Sequence, residues 1–236
     1  MSNPASIGLL PERSTSFILS AISGFVDTAG FILLSGIFTA HVTGNLVLAG
    51  AAIAGHHNGG VFVRLLLFPV FMLAVVGASW LARHSGACVV RRVLLAEATA
   101  MAGFIAIGVC LDHPRHHFPD HELFMIGSIA VIAMGIQNAL MREGLKTFLP
   151  TTMMTGNTTQ FTLDLAQWIR EPAMARSNGV SERLHRFGNV LIGFVSGAAL
   201  GAAGAATIRF WCPCLPLIAL LILAVKTPKL EATTES

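Results

Sequence analysis

Charge is what this sequence has least of. Asp, Glu, Lys and Arg make up only 11% of its 236 residues, where a soluble domain carries about 25%. So low a share excludes a water-facing surface around most of the chain. Cysteine is scarce too: Cys88, Cys110, Cys212 and Cys214 make no disulfide framework. Cys212-Pro-Cys214 has the spacing of a redox or metal clip, but small apolar filler is the simpler reading. Catalytic signatures are missing. There is no phosphate-binding glycine loop, no His-Glu-x-x-His and no nucleophile set beside a base, so neither an enzymatic activity nor a cofactor is expected. The net charge of +3 does not point to nucleic acid, because the basic residues fall in the connections between apolar segments. Nor is a cleavable leader expected, since the first apolar run is too long and has no basic leader or small-residue cleavage site.

What remains is apolar. Hydrophobic residues make up 54% of the chain and the mean hydropathy is +0.71. Residues 17–38, 65–82, 93–111, 123–141, 187–208 and 210–225 form six runs almost free of charge, each near the roughly 20 residues that cross hydrocarbon as a helix. In lipid the backbone must bond within its own segment, which selects helices over strands. The expectation is an all-α, polytopic membrane protein. A cytoplasmic tail covers 1–15, a single membrane domain 16–225, and a second cytoplasmic tail 226–236.

The chain also repeats itself. "SGFVDTAGF" (23–31) aligns with "MGIQNALMR" (134–142), pairing Gly24 with Gly135 and Asp27 with Asn138 at an offset of 111. The triplet Thr-Gly-Asn occurs at 43–45 and 155–157, an offset of 112. Each half, about 16–111 and 121–225, then reads as span, triplet segment, span, span. If both triplet segments enter and leave on one side, Arg64, Arg115 and Arg209 fall on one face of the membrane. The other twelve of the 15 basic residues fall on the opposite face. The positive-inside rule then makes both termini cytoplasmic. Letting both segments cross gives eight spans and a much weaker asymmetry. Letting only the first cross keeps most of the asymmetry but puts the N-terminus outside. Six spans are expected, because matching motifs should do matching things. Three spans per half invert the halves, and inverted repeats with broken or re-entrant helices meeting near the midplane recur in secondary transporters.

Candidate site residues follow from this layout. Gly44 and Gly156 are expected to stop a helix. Thr43, Asn45, Thr155 and Asn157 are expected to cap the half-helices 46–55 and 158–168. The N-termini of those half-helices offer N–H groups and partial positive charge to an anionic or polar solute; the alternative is a kink that serves packing only. Asp27 stands ten residues into the first run, where a carboxylate costs about 2.5 kcal/mol or more unless paired, hydrated or protonated. It is therefore read as a group that handles a proton or cation, with a structural hydrogen bond as the alternative. Asn138 is its neutral counterpart. His41, just before the first triplet, can accept a proton or act as a cap. Gln160 and Asp164, with Gln167, share one polar helix face, suited to a cavity or to the water interface.

Three further features complete the reading. Glu97 is expected to reach the basic turn at Arg91 and Arg92. His56, His57, His113, His116, His117 and His121 fall in two loops, read as solvated rather than as a metal site. Gly193, Gly197 and Gly201, with Ala205, recur every four residues, a ridge for close helix packing within the fold or between two copies.

Four blocks in order, "GFVDTAGF", "FTAHVTGN", "GIQNALMR" and "TTMMTGNTTQFTLDLA", resemble the YoaK-like family of bacterial inner-membrane proteins, a family without an assigned activity. The likeness covers most of 16–225; the histidine-rich loop and the stretch 170–186 look particular to this chain. It implies a multi-pass protein of the bacterial inner membrane and no substrate. From the residues themselves we expect a secondary transporter or permease for a small polar or anionic solute. The alternative is a non-transporting scaffold or a partner in assembly or stress. Expected partners are the lipid bilayer, the solute, and a second copy through the glycine ridge.

Overall fold

The computed structural model describes residues 12–55, 60–112 and 118–227, and among these there is no strand. Most of the two tails and His56, His57, His113, His116 and His117 lie outside the described residues, and with them most of the histidine-loop expectation. The helices are α1 (Glu12–Leu33), α2 (Val42–Ala54), α3 (Val61–Arg83), α4 (Val89–Leu111), α5 (Asp120–Glu143), α6 (Met154–Arg170), α7 (Pro172–Ser177), α8 (Val180–Ile208) and α9 (Cys214–Lys226). Among the described residues, α1, α3, α4 with its preceding 3-10 turn, α5 and α8 are long and apolar enough to cross a membrane. α9 is apolar but has only 13 residues. The chain is a multi-pass helical membrane protein. Its outer faces agree: Phe62, Leu73 and Val76 of α3 and Ile192, Val195 and Leu200 of α8 are exposed. Water would penalise so continuous an apolar surface, and lipid does not.

Two helix pairs make the frame: α1 runs along α8, and α5 along α3. α2 lies on α3, α6 lies on α8, and α4 packs between α5 and α9. Glycine sets how close the first pair comes. A Cβ at Gly193, Gly197 or Gly201 would stand 2.7, 2.0 or 2.4 Å from the carbonyl oxygens of Phe17, Ala21 and Phe25. From the other side, a Cβ at Gly24 would meet the Phe194 oxygen at 2.2 Å. The ridge is therefore filled by the chain's own α1. Of the two packings expected of it, this is the one within the fold. In the second pair Gly135 takes the same part, with Ala74 Cβ 2.9 Å from where its own Cβ would be.

Polar contacts sort the helix ends. Arg186 reaches both Glu12 and the Thr147 carbonyl, Asn189 bonds the Arg13 carbonyl, and Arg83 lies by Glu143. The starts of α1 and α8 thus share one end of the molecule with the ends of α3 and α5. At the other end Arg64 bonds the Ser35 carbonyl and Arg209 pairs with Asp112.

α1 stops five residues short of the expected run. Ser35 and Gly36 have φ of 53° and 80°, and the Gly36 N–H closes back onto the Phe31 carbonyl at 2.9 Å. A left-handed closure of this kind ends a helix while satisfying its last carbonyls. Residues 34–41 then turn back toward the interior. α5 ends without a left-handed residue: Gly144 has φ of −103°, the N–H groups of Gly144 and Leu145 both bond the Leu140 carbonyl, and residues 144–153 turn back.

Candidate functional site

Asp27 holds the first returning segment. Its Oδ1 accepts the main-chain N–H groups of Thr39 and Ala40 at 2.8 and 2.7 Å and, more weakly, that of His41 at 3.3 Å. Its Oδ2 meets His41 Nδ1 at 2.6 Å. Every partner is a donor, the complement of a carboxylate, and charge-assisted bonds of this type offset the cost of burying it. Gly30 allows the approach, since a Cβ there would stand 2.6 Å from Thr39 Cγ2. Because α1 ends at Leu33, Asp27 lies six residues, about 9 Å, from that end. It is not at the helix centre, where the longer run had put it.

The second segment uses neutral groups in the same places. Asn138 Oδ1 accepts the Thr152 hydroxyl at 2.7 Å. The neighbouring Gln137 donates to Thr151 Oγ1 and to the Leu19 carbonyl of α1. Asn45 reaches back seven residues and clasps Phe38 twice, accepting its N–H and donating to its carbonyl. Asn157 reaches back seven residues to the Pro150 carbonyl at 2.7 Å; the reciprocal bond is impossible because proline has no N–H.

The triplets therefore do something different from what was expected. α2 and α6 begin at Val42 and Met154, so both triplets sit inside the first helical turn rather than ahead of it. Gly44 and Gly156 have no positive φ and stop nothing; the breaks lie upstream, at 34–41 and 144–153. The two asparagines satisfy the returning loops, not the free N–H groups of their own helices. Gly44 makes room for the Phe38 ring, 2.8 Å from where a Cβ would be. At Gly156 a Cβ would meet nothing within 4 Å.

Between the first turns of α2 and α6 is a cavity of about 330 Å³. Its polar wall is His41, Thr43, Asn138, Thr152 and Thr155, with Gly156 beside them. Phe68 and Phe71 of α3 supply apolar wall. The His41 ring is gripped edge-on by Phe194 of α8 and Phe38, with centroids 5.6 and 6.5 Å away. The first turns of two helices, hydroxyls, an amide and an imidazole thus line one cavity, beside the apolar Ala40, Val42, Met153 and Met154.

Not every expected residue meets there. Asp27, Asn45 and Asn157 stand behind the wall and shape it. Gln160 and Asp164 belong elsewhere: Asp164 pairs with Arg183 of α8 at 2.9 Å and accepts from Gln160 at 3.1 Å, so this polar face joins α6 to α8. Glu97 does not reach Arg91 or Arg92. It is fully buried, and neither carboxyl oxygen has a hydrogen-bond partner. Thr152, Phe68 and Phe71 were not among the expected residues. Thr152 could have been found, because it stands 14 residues after Asn138 as His41 stands 14 after Asp27. Cys212 is buried in the hydrophobic core and Cys214 packs against it, as apolar filler would.

Comparison with known proteins gives a family and a transmembrane relative. A family model described as protein of unknown function (DUF1275) matches residues 15–226. The chain is also 29% identical over 150 residues to the UPF0700 transmembrane protein YoaK of Bacillus subtilis (strain 168), a match covering 63% of this chain and 65% of that protein. The matched part thus spans just under two thirds of the relative's length. No solved structure matches. The chain belongs to the DUF1275 family.

Proposed function

We propose that this member of the DUF1275 family is a secondary transporter or permease, not an enzyme, and that the cavity between the first turns of α2 and α6 is its solute site. The observation that carries the reading is that both Thr-Gly-Asn triplets contribute to one cavity wall, through Thr43 and Thr155. The solute class is small and polar or anionic, since the positive ends of two helix dipoles point at the same space.

The finer architecture belongs to the same proposal. Exchanging the two halves exchanges the α1–α8 pair for α5–α3, and α2 on α3 for α6 on α8. This supports two inverted repeats within one membrane domain over 16–225. α9 follows the turn that carries Arg209 and packs along α4, which supports its being the sixth span. The grouping of helix ends supports the uneven division of basic residues, and so cytoplasmic termini in a bacterial inner membrane.

The test begins with untargeted solute profiling of cells with and without the protein, followed by uptake of the solutes found into proteoliposomes. Thr43→Val and Thr155→Val keep shape and remove a hydroxyl. Each should lower uptake at least severalfold with an unchanged melting curve. If losses in uptake only follow losses in stability, the cavity is a packing feature and the protein a non-transporting scaffold.

A further inference from the structure

Resting on that reading, we propose that Asp27 and His41 form a proton-binding dyad that couples occupancy of the cavity by an anion to uptake of one proton, with His41 Nε2 as the proton site. Beside a carboxylate, Nδ1 of His41 is the donor in the 2.6 Å bond to Asp27 Oδ2, so Nε2 carries the free lone pair. The imidazole side chain is 35% exposed and the carboxylate 7%, and His41, unlike Asp27, lines the cavity. The ring is thus the part of the dyad that a solute and its water can reach.

No other lining residue titrates in the physiological range. The groups around the ring are Asp27 from α1, Phe38 from the returning segment and Phe194 from α8. Across the cavity stand Phe68 and Phe71 of α3, Asn138 of α5, and Thr152 to Gly156. Arg142 of α5 does not line the cavity, though its Nη2 lies 3.5 Å from Sδ of the lining Met153. With His41 neutral, the dyad carries one negative charge at the cavity wall and repels an anion. When Nε2 takes a proton from water, the pair becomes neutral. Imidazolium beside the start of α2 is opposed by the helix dipole, and the Asp27 carboxylate compensates it. The anion then meets two helix N-termini and an Nε2–H donor. Release of the anion returns that proton to water. Because linkage is reciprocal, whatever favours the anion must favour the proton.

The experiment uses the full chain in lipid nanodiscs, with histidine labelled by 15N and His41 assigned by difference from His41→Gln. The midpoint of the His41 titration is measured alone and with saturating sulfate, inorganic phosphate or succinate. At least one probe should raise the midpoint by about one pH unit, which is tenfold tighter anion binding in the protonated state. Asp27→Asn should lower the midpoint, and His41→Gln should make the affinity of that probe, counted for a single ionisation state of the probe, independent of pH. A midpoint that none of the three anions moves overturns the proposal, as does unchanged pH dependence in His41→Gln. Neutral polar solutes transported equally at pH 6 and pH 8, with losses in Thr43→Val and Thr155→Val, would sink the coupling and leave the permease reading standing.

Discussion

Asp27 and Asn138 occupy matching places in the two halves, yet one is charged and the other is not, and their surroundings explain the difference. Asp27 faces main-chain N–H groups at 39 and 40 and the His41 ring, whereas Asn138 accepts one threonine hydroxyl and donates to the Met134 carbonyl. Asp27→Ala strands those donors, each costing on the order of 1–3 kcal/mol when left unpaired. We therefore expect it to destabilise more than any other single substitution at the site. Asp27→Asn retains an acceptor and should cost clearly less, as detergent melting curves of the two variants will show. The asparagines of the triplets give a second comparison. Asn45→Ala loses two bonds to Phe38 and should cost about 2–3 kcal/mol, while Asn157→Ala loses one and should cost about half as much. Equal losses would mean that the Pro150 contact is stronger than its single bond implies. Glu97 is the opposite case, a buried carboxyl whose two oxygens have no hydrogen-bond partner. Glu97→Leu should leave stability unchanged or raise it by about 1–3 kcal/mol, since it removes a buried polar group that has no partner.

At the scale of elements, glycine separates packing from function. At Gly197 a Cβ would sit 2.0 Å from a backbone oxygen of α1, and two helix backbones cannot yield locally. Gly197→Ala should push α1 and α8 apart at a cost of about 2–3 kcal/mol, visible as a lower melting temperature whatever the solute. Gly156 is a helical residue with open space around it, on the cavity wall. Gly156→Ala should change stability by no more than about 0.5 kcal/mol while altering solute affinity. If Gly156→Ala melts early, the second triplet is a packing device after all. The same contrast shows why a small-residue ridge and a glycine triplet look alike in a sequence. Both are small residues in apolar surroundings, and only the neighbour across the gap differs.

For the whole molecule the membrane orientation is the prediction to check. Lys226 closes α9 and Asp112 follows α4, and in the six-span arrangement they lie on opposite sides. Reporters fused after Lys226 and inserted at Asp112 should give opposite signals, with Lys226 cytoplasmic. The same side for both would remove α9 as a span.

Composition and charge by themselves determined the medium and the class. With 11% charged residues and long apolar runs, only helices can satisfy the backbone in lipid, and this holds whatever the tertiary arrangement. The matched triplets, Asp27 and Asn138 were legible as a pair of polar interruptions for the same reason: polar groups in hydrocarbon need partners. Where the chain turns back was not legible. Leu34 and Ile37 are fully buried in the first returning segment, and their hydropathy is the same in a loop, a core or a span. Tertiary structure decided the rest. Asp27 meets residues 12 to 14 positions further on, the glycine ridge meets α1 from 176 positions away, and the two triplets share a cavity only because α2 and α6 rest on α3 and α8. Such contacts depend on backbone distances of a few ångströms between segments remote in sequence, which hydropathy and spacing along one chain do not encode.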